Sequence, residues 1–317
     1  MKKDLIPNIP HRHHYVPQRY LSKWLKEDNQ FYVLDMRSNK IKLQGTKSIC
    51  YETDMYKLVN LTNDEWKIID SLMNDFPKNL QDRIHEFGNR NIQIETDNEE
   101  IKNTINKILI DKKSEFDKIN IKIGELLLTD IENVISNDNW EKLYNSDLSF
   151  LKTKQDELDF YSYLFTQVYR TSKIKNIIKN LTDELNVKMN ISASTEDLFP
   201  YIIVIFSIRM SNNIVANNNH KICFLQCNNE TTSKLITSDN PIINLLDTKS
   251  ELPNDYVLYW PLTPTLALLL TNKNYTTNQI LDESDILKYN KRIKDNADKY
   301  LISNDKKTLE YFLSKQS

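Results

Sequence analysis

Glycine is almost missing from this chain, with 3 residues in 317. Neither a glycine-rich P-loop nor a dinucleotide fingerprint can be found. Cysteine is as sparse: Cys50, Cys223 and Cys227 form an odd set with no paired motif, which fits a reducing cytoplasm rather than a disulfide framework. A dominant charge sign is also lacking. Forty-two basic residues against 44 acidic ones leave a net charge of −2, so no global basic field advertises nucleic acid, although a local basic groove fits that total. The longest apolar runs, Tyr201–Phe206 and Leu266–Leu270, are too short to span a bilayer, and the first residues lack the apolar region of a secretory signal. These absences predict a soluble cytoplasmic protein with no membrane partner.

Histidine is rare too, but three of the 5 fall together, at His11, His13 and His14. The stretch continues as Tyr15-Val16-Pro17-Gln18-Arg19-Tyr20-Leu21. Imidazoles serve as general bases and metal ligands because they titrate near neutrality. On an extended strand His13 and His14 point to opposite faces, so one faces a site while the other lies behind it. The competing readings are an N-terminal tag or a solvated basic arm, but a synthetic tag is an uninterrupted run, and this one is broken by Arg12 and runs into a patterned segment.

After Pro17 the spacing predicts a short helix over 18–26 and a hairpin of Phe31–Asp35 with Ile41–Leu43. A further extended piece covers Ile49–Leu58. From Thr62 to Ser211 the period becomes helical, opening on the capping sequence Thr62-Asn63-Asp64-Glu65. Helices are expected at Asn79–Phe87, Asn98–Leu109, Ser114–Ser136, Leu148–Asn180 and Tyr201–Ser211. Strands return at Lys221–Cys227, Lys234–Thr237, Tyr256–Tyr259 and Leu266–Thr271, followed by a helix over Ser284–Tyr300 and a strand at Leu301–Ser303. The expected fold is α+β: N- and C-terminal strands build a mainly antiparallel sheet, and a large helical middle packs on it. Residues 1–60, 61–215 and 216–317 would form one composite domain.

Three polar groupings stand out from this background. Gln167 and Arg170 lie three apart on the aromatic helix Phe160–Arg170, so both share one face and could meet an anion. An aromatic core helix with two peripheral polar residues carries nearly equal weight. Thr237-Ser238-Asp239-Asn240-Pro241 ends a strand in small polar residues, which either only shape a turn or hold a carboxylate on a rigid base. Cys223 and Cys227 share a strand face, where two small apolar residues filling a core is the stronger reading.

His13-His14-Tyr15-Val16-Pro17, Gln167 with Arg170-Thr171, Thr237 to Pro241 and Trp260-Pro261-Leu262-Thr263-Pro264 together resemble domain of unknown function family 4238, a bacterial family. Asn290, Asn296, Ala297 and Tyr300 add a weaker piece, and the resemblance covers nearly the whole chain. The family name implies no activity. The histidine segment also resembles the start of the His-His-apolar-apolar-Pro segment of some HNH-type nucleases, where the pair supplies a metal ligand and a general base. Here no histidine follows until His85, so a missing ligand must come from a distant segment such as Asp239.

The first expectation is therefore a metal-assisted hydrolase, a phosphodiesterase or nuclease in bacterial defence or toxin function, using magnesium, manganese or zinc. His14 would be the base, Arg170 and Gln167 would complete the catalytic set, and His13 and Asp239 would hold the metal. Gln18, Arg19, Ser238 and Asn240 would contact substrate. The alternative is a non-catalytic module whose polar cluster grips a nucleotide or nucleic-acid end. A third reading is a hydrogen-bonded structural core.

Overall fold

The computed structural model describes residues 12–57, 59, 61–88, 135–217, 219–246, 255–273 and 279–313. The expected helix Asn98–Leu109, and Ser114–Ser136 except its last two residues, lie outside these. In chain order the elements begin with β1 (Arg12–His14), α1 (Gln18–Ser22), β2 (Phe31–Asp35), β3 (Lys40–Gln44) and β4 (Tyr51–Thr53). The helices α2 (Asn63–Leu72), α3 (Lys78–Gly88), α4 (Asn137–Tyr144), α5 (Lys154–Tyr169), α6 (Ser172–Met189) and α7 (Thr195–Asn217) follow. The chain then forms β5 (Lys221–Cys227), β6 (Thr237–Ser238), β7 (Ile243–Asn244), β8 (Val257–Thr263), β9 (Leu266–Thr271) and β10 (Gln279–Leu281). Last come α8 (Glu283–Asn296), β11 (Tyr300–Ser303) and α9 (Lys306–Leu313). The fold is α+β and mostly antiparallel, and the strands among the described residues divide over three sheets.

The chain forms two compact units. The first takes the described residues of Met1–His13, Glu52–Asn133 and Ile177–Phe206. Its α2 starts as the sequence predicts: Thr62 and Glu65 form a reciprocal capping box, so two otherwise orphaned donors are satisfied. Glu65 is buried and does more, because its second carboxylate oxygen accepts from Ser194 N at 2.9 Å. Glu65→Ala strands these donors and should lower unfolding free energy by about 2 kcal/mol, measured by denaturant titration. His85 stacks on Trp66 at 4.5 Å between centroids and its Nε2 lies 2.8 Å from Asp70.

The helix α7 is longer than the apolar run inside it. By length and composition it could cross a membrane, but 61% of its apolar window is buried inside the protein, as in a core helix.

The second unit takes the described residues of His14–Tyr51, Val134–Asn176 and Ser207–Ser317. One sheet has the order β10-β5-β9-β8-β7, antiparallel except for the parallel β10–β5 pair. Its central β9 is buried at every position, which explains why it reads as an apolar run without alternation. Cys223 and Cys227 are buried on β5, as core-filling residues are. The other sheet, β3-β2-β11-β6, joins the N-terminal hairpin to C-terminal strands. Asp35 pairs with Tyr300 at one end and Tyr32 with Ser303 at the other.

An aromatic cluster ties helices to strand β8. Trp260 lies 6.0 Å from Tyr20, 6.0 Å from Trp140 and 6.2 Å from Tyr163, centroid to centroid. The Tyr20 hydroxyl donates to Pro261 O at 2.6 Å and lies equally close to Thr237 Oγ1. The chain carrying the histidines is thereby fixed against the strand that leads to Ser238-Asp239-Asn240.

Candidate functional site

The β1 strand gives the two histidines different surroundings, as its alternation requires. In the first unit, His13 is buried, stacks on Tyr56 at 5.3 Å, and accepts from Tyr56 N through Nδ1 at 3.0 Å. In the second unit, His14 is half-buried and its ring lies 5.7 Å from that of Tyr51. Gln18, one helical turn on, donates from Nε2 to His14 Nδ1 at 3.4 Å. Its Oε1 accepts from Thr46 Oγ1 at 3.5 Å, which sets the amide's orientation. With Nδ1 as acceptor, the neutral imidazole carries its proton on Nε2. Gln18 is thus placed to orient His14, while Arg19 is exposed with its guanidinium 5.4 Å from the Trp140 ring centre.

Arg170 comes to His14 from the far end of α5. It caps that helix, is 3% exposed, and donates through Nη2 to the main-chain oxygen of His14. The expected single helix over 148–180 is broken here, and Thr171 Oγ1 accepts from Ile174 N as α6 begins. One turn before Arg170 on the same face, Gln167 is 2% exposed. Neither its Oε1 nor its Nε2 has a hydrogen-bond partner among the described residues.

The turn after β6 is closed by its own side chains. Ser238 Oγ accepts from Asn240 N at 3.0 Å and donates to Asn240 O at 2.9 Å. Asn240 Nδ2 donates to Asn296 O at 3.2 Å. Asp239 is 2% exposed, and its two oxygens accept from Asp298 N at 3.0 Å and Lys299 N at 2.7 Å. Burial pushes its carboxyl up to about 6, with the charge of Asp298 adding to the rise and the backbone donors opposing it. The Cys50 thiol is raised well above its ordinary range, chiefly by burial and further by Asp239.

The start of α6 connects the two groupings. Lys173 Nζ donates to Asn296 O at 3.0 Å, and Lys299 Nζ donates to Ser172 Oγ at 3.4 Å. Burial lowers the Lys173 ammonium, while Asp239 and Asp298 work against that shift. The polar layer thus has two bonded parts, Thr46, Gln18, His14 and Arg170 in one and Ser172, Lys173, Asn296, Lys299 and Asp239 in the other, joined where α5 passes into α6. A family model described as "Protein of unknown function (DUF4238)" matches residues 12–307. The chain belongs to the DUF4238 family. Comparison with curated proteins and with solved structures gives no match.

In this DUF4238 protein the residues expected to hold a metal do not make a ready donor set. No group of three or more His, Cys, Asp or Glu side chains suited to an ion occurs among the described residues. Asp239 directs both oxygens at backbone donors, and the Nδ1 of His13 is used by Tyr56. Ser238 and Asn240, expected at substrate, are engaged within the protein, Ser238 by the Asn240 backbone and Asn240 by Asn296 O. Sequence reasoning named Asn296 only within the weaker family piece and missed Lys173 and Lys299 as neighbours of this layer. Lys173 carried a signal, as a second cation three residues after Arg170.

Proposed function

We propose that this protein binds the phosphate of a nucleotide or nucleic-acid end, in the cytoplasm, at the polar group around His14 and Arg170. The observation that carries this reading is the Thr46–Gln18–His14 relay together with the Arg170 guanidinium, which donates to the main-chain oxygen of the same histidine. With Gln18 Nε2 as the donor, the neutral imidazole offers Nε2–H, and a donor ring with a permanent cation is the chemistry that recognises an anion. Titration calorimetry with inorganic phosphate, ribose 5-phosphate and nucleoside monophosphates tests it. His14→Ala should fold with unchanged Tm and bind at least tenfold more weakly. Wild type that binds none of these compounds would end the proposal.

Phosphodiester hydrolysis in bacterial defence or as a toxin is the second reading, favoured by the same pair. His14 would move a proton at the scissile ester oxygen and Arg170 would stabilise the charge developing there. Magnesium, manganese or zinc, when bound, would supply an activated water. Because the described donors do not assemble a three-ligand set, no step is assigned to an ion. Wild type and His14→Ala incubated with DNA, RNA and cyclic nucleotides, with each ion or chelator, discriminate: equal products from both proteins would mark a contaminant.

A further inference from the structure

We infer that Gln167 reads the edge of a nucleobase, so that the ligand at the His14–Arg170 group is a nucleotide rather than a simple phosphate. This inference rests on the phosphate reading above and names its ligand class. A carboxamide presents one acceptor and two donors side by side, and burying it without partners is costly. Gln167 is 2% exposed, and both ends of its amide lack partners among the described residues. The buried atoms without partners in this unit also include Trp140 Nε1, the hydroxyls of Tyr144 and Tyr259, and Asn304 Oδ1, one atom per side chain. Among the described residues, Gln167 is the side chain with two such atoms, the oxygen and the nitrogen of one amide.

Its position on α5 adds direction. One turn earlier on the same face, Tyr163 packs its ring 5.0 Å from Trp140 and 6.2 Å from Trp260. One turn later, Arg170 reaches His14 O. By helical spacing the amide therefore lies one turn from the packed Tyr163 ring on one side and one turn from Arg170 on the other. A ligand with a flat apolar body, an edge of adjacent donor and acceptor, and an anion matches that order of side chains. Nucleobases carry such edges, and glutamine pairs with adenine in this two-bond manner.

Gln167→Met keeps the volume and removes both polar atoms. If no protein group satisfies the amide, the free variant should melt at the wild-type temperature or above it, because an unpaired buried amide is lost. Binding of ribose 5-phosphate should stay within about twofold of wild type. The best-bound of the AMP, GMP, CMP and UMP set should fall at least tenfold, to the level of ribose 5-phosphate. A lowered melting temperature would show that the amide has a protein partner, and the inference fails. Unchanged nucleotide affinity would show that water satisfies the amide, and the inference fails there too. Wild type binding neither ribose 5-phosphate nor any nucleotide would instead sink the phosphate reading beneath it.

Discussion

Asp239→Asn is expected to lose a pH dependence that the wild type has. The carboxyl rises from an ordinary 3.8 to about 6 on folding, because burial outweighs the two backbone donors it receives. Between those values the folded protein holds a proton that the unfolded chain has released. Stability from this group is therefore full below pH 4 and declines as pH climbs through 6. A rise of that size corresponds to about 3 kcal/mol. Unfolding free energies of wild type and Asp239→Asn, measured at pH 4 and pH 7, should diverge by about 2 kcal/mol, most of that amount, to the wild type's disadvantage at the higher pH. A difference that stays flat, or moves in the wild type's favour, would mean that the N–H groups of Asp298 and Lys299 hold the carboxylate more strongly than burial opposes it.

Trp260→Ala should cost more than any substitution in the polar layer, about 3–5 kcal/mol, the usual range for emptying a buried tryptophan site. Its ring is 1% exposed and meets Tyr20, Trp140 and Tyr163. Tyr20 also fixes the backbone at Pro261 and the hydroxyl of Thr237, so losing Trp260 loosens the support of the Asp239 turn as well. Chemical denaturation gives the loss directly, and near-ultraviolet circular dichroism should lose aromatic intensity. Trp260→Phe, which retains a ring, should recover most of the stability. A cost below about 1 kcal/mol for the alanine variant would show that these rings do not form a working core.

Local signals in the sequence are legible where the chain satisfies itself locally. The hairpin of β2 and β3, the capping box at Thr62 and strand β9 need only neighbours or uniform burial. Distant partners account for the differences. The expected strand Lys234–Thr237 shrinks to Thr237–Ser238 because Asn290 takes Lys234 O and Ile236 N, while Pro264 O takes Leu235 N. The helix expected to reach Tyr300 stops at Asn296, since Asp239 captures the N–H groups of Asp298 and Lys299 that another turn would use.

Proline misleads in the opposite direction. Trp260 to Pro264 reads as a turn, yet β8 runs through Pro261 to Thr263. Beyond Tyr259 the short β7 no longer pairs with β8, so Pro261 sits at an open edge where a missing N–H is tolerated. The extended reading of Ile49–Leu58 fails for a backbone reason: Cys50 and Asp54 have φ of 55° and 52°, which confines the strand to Tyr51–Thr53. At the site, the motifs mark His14, Gln167, Arg170 and Asp239 as notable residues. They do not reveal that Asp239 faces backbone, because its partners lie 59 and 60 positions away.

The strand order β3-β2-β11-β6 has a consequence for synthesis of the chain. The inner strand β11 pairs with β2 on one side and β6 on the other, but it leaves the ribosome only after nearly all of the intervening protein. At roughly 5–20 residues per second, the N-terminal hairpin waits on the order of 10–50 s for its partner. Throughout that interval Phe31–Asp35 offers an unpaired edge, with buried-type side chains at Phe31, Val33 and Leu34. That edge is covered only when Tyr300–Ser303 arrives, and premature termination before Tyr300 leaves the sheet without its inner strand.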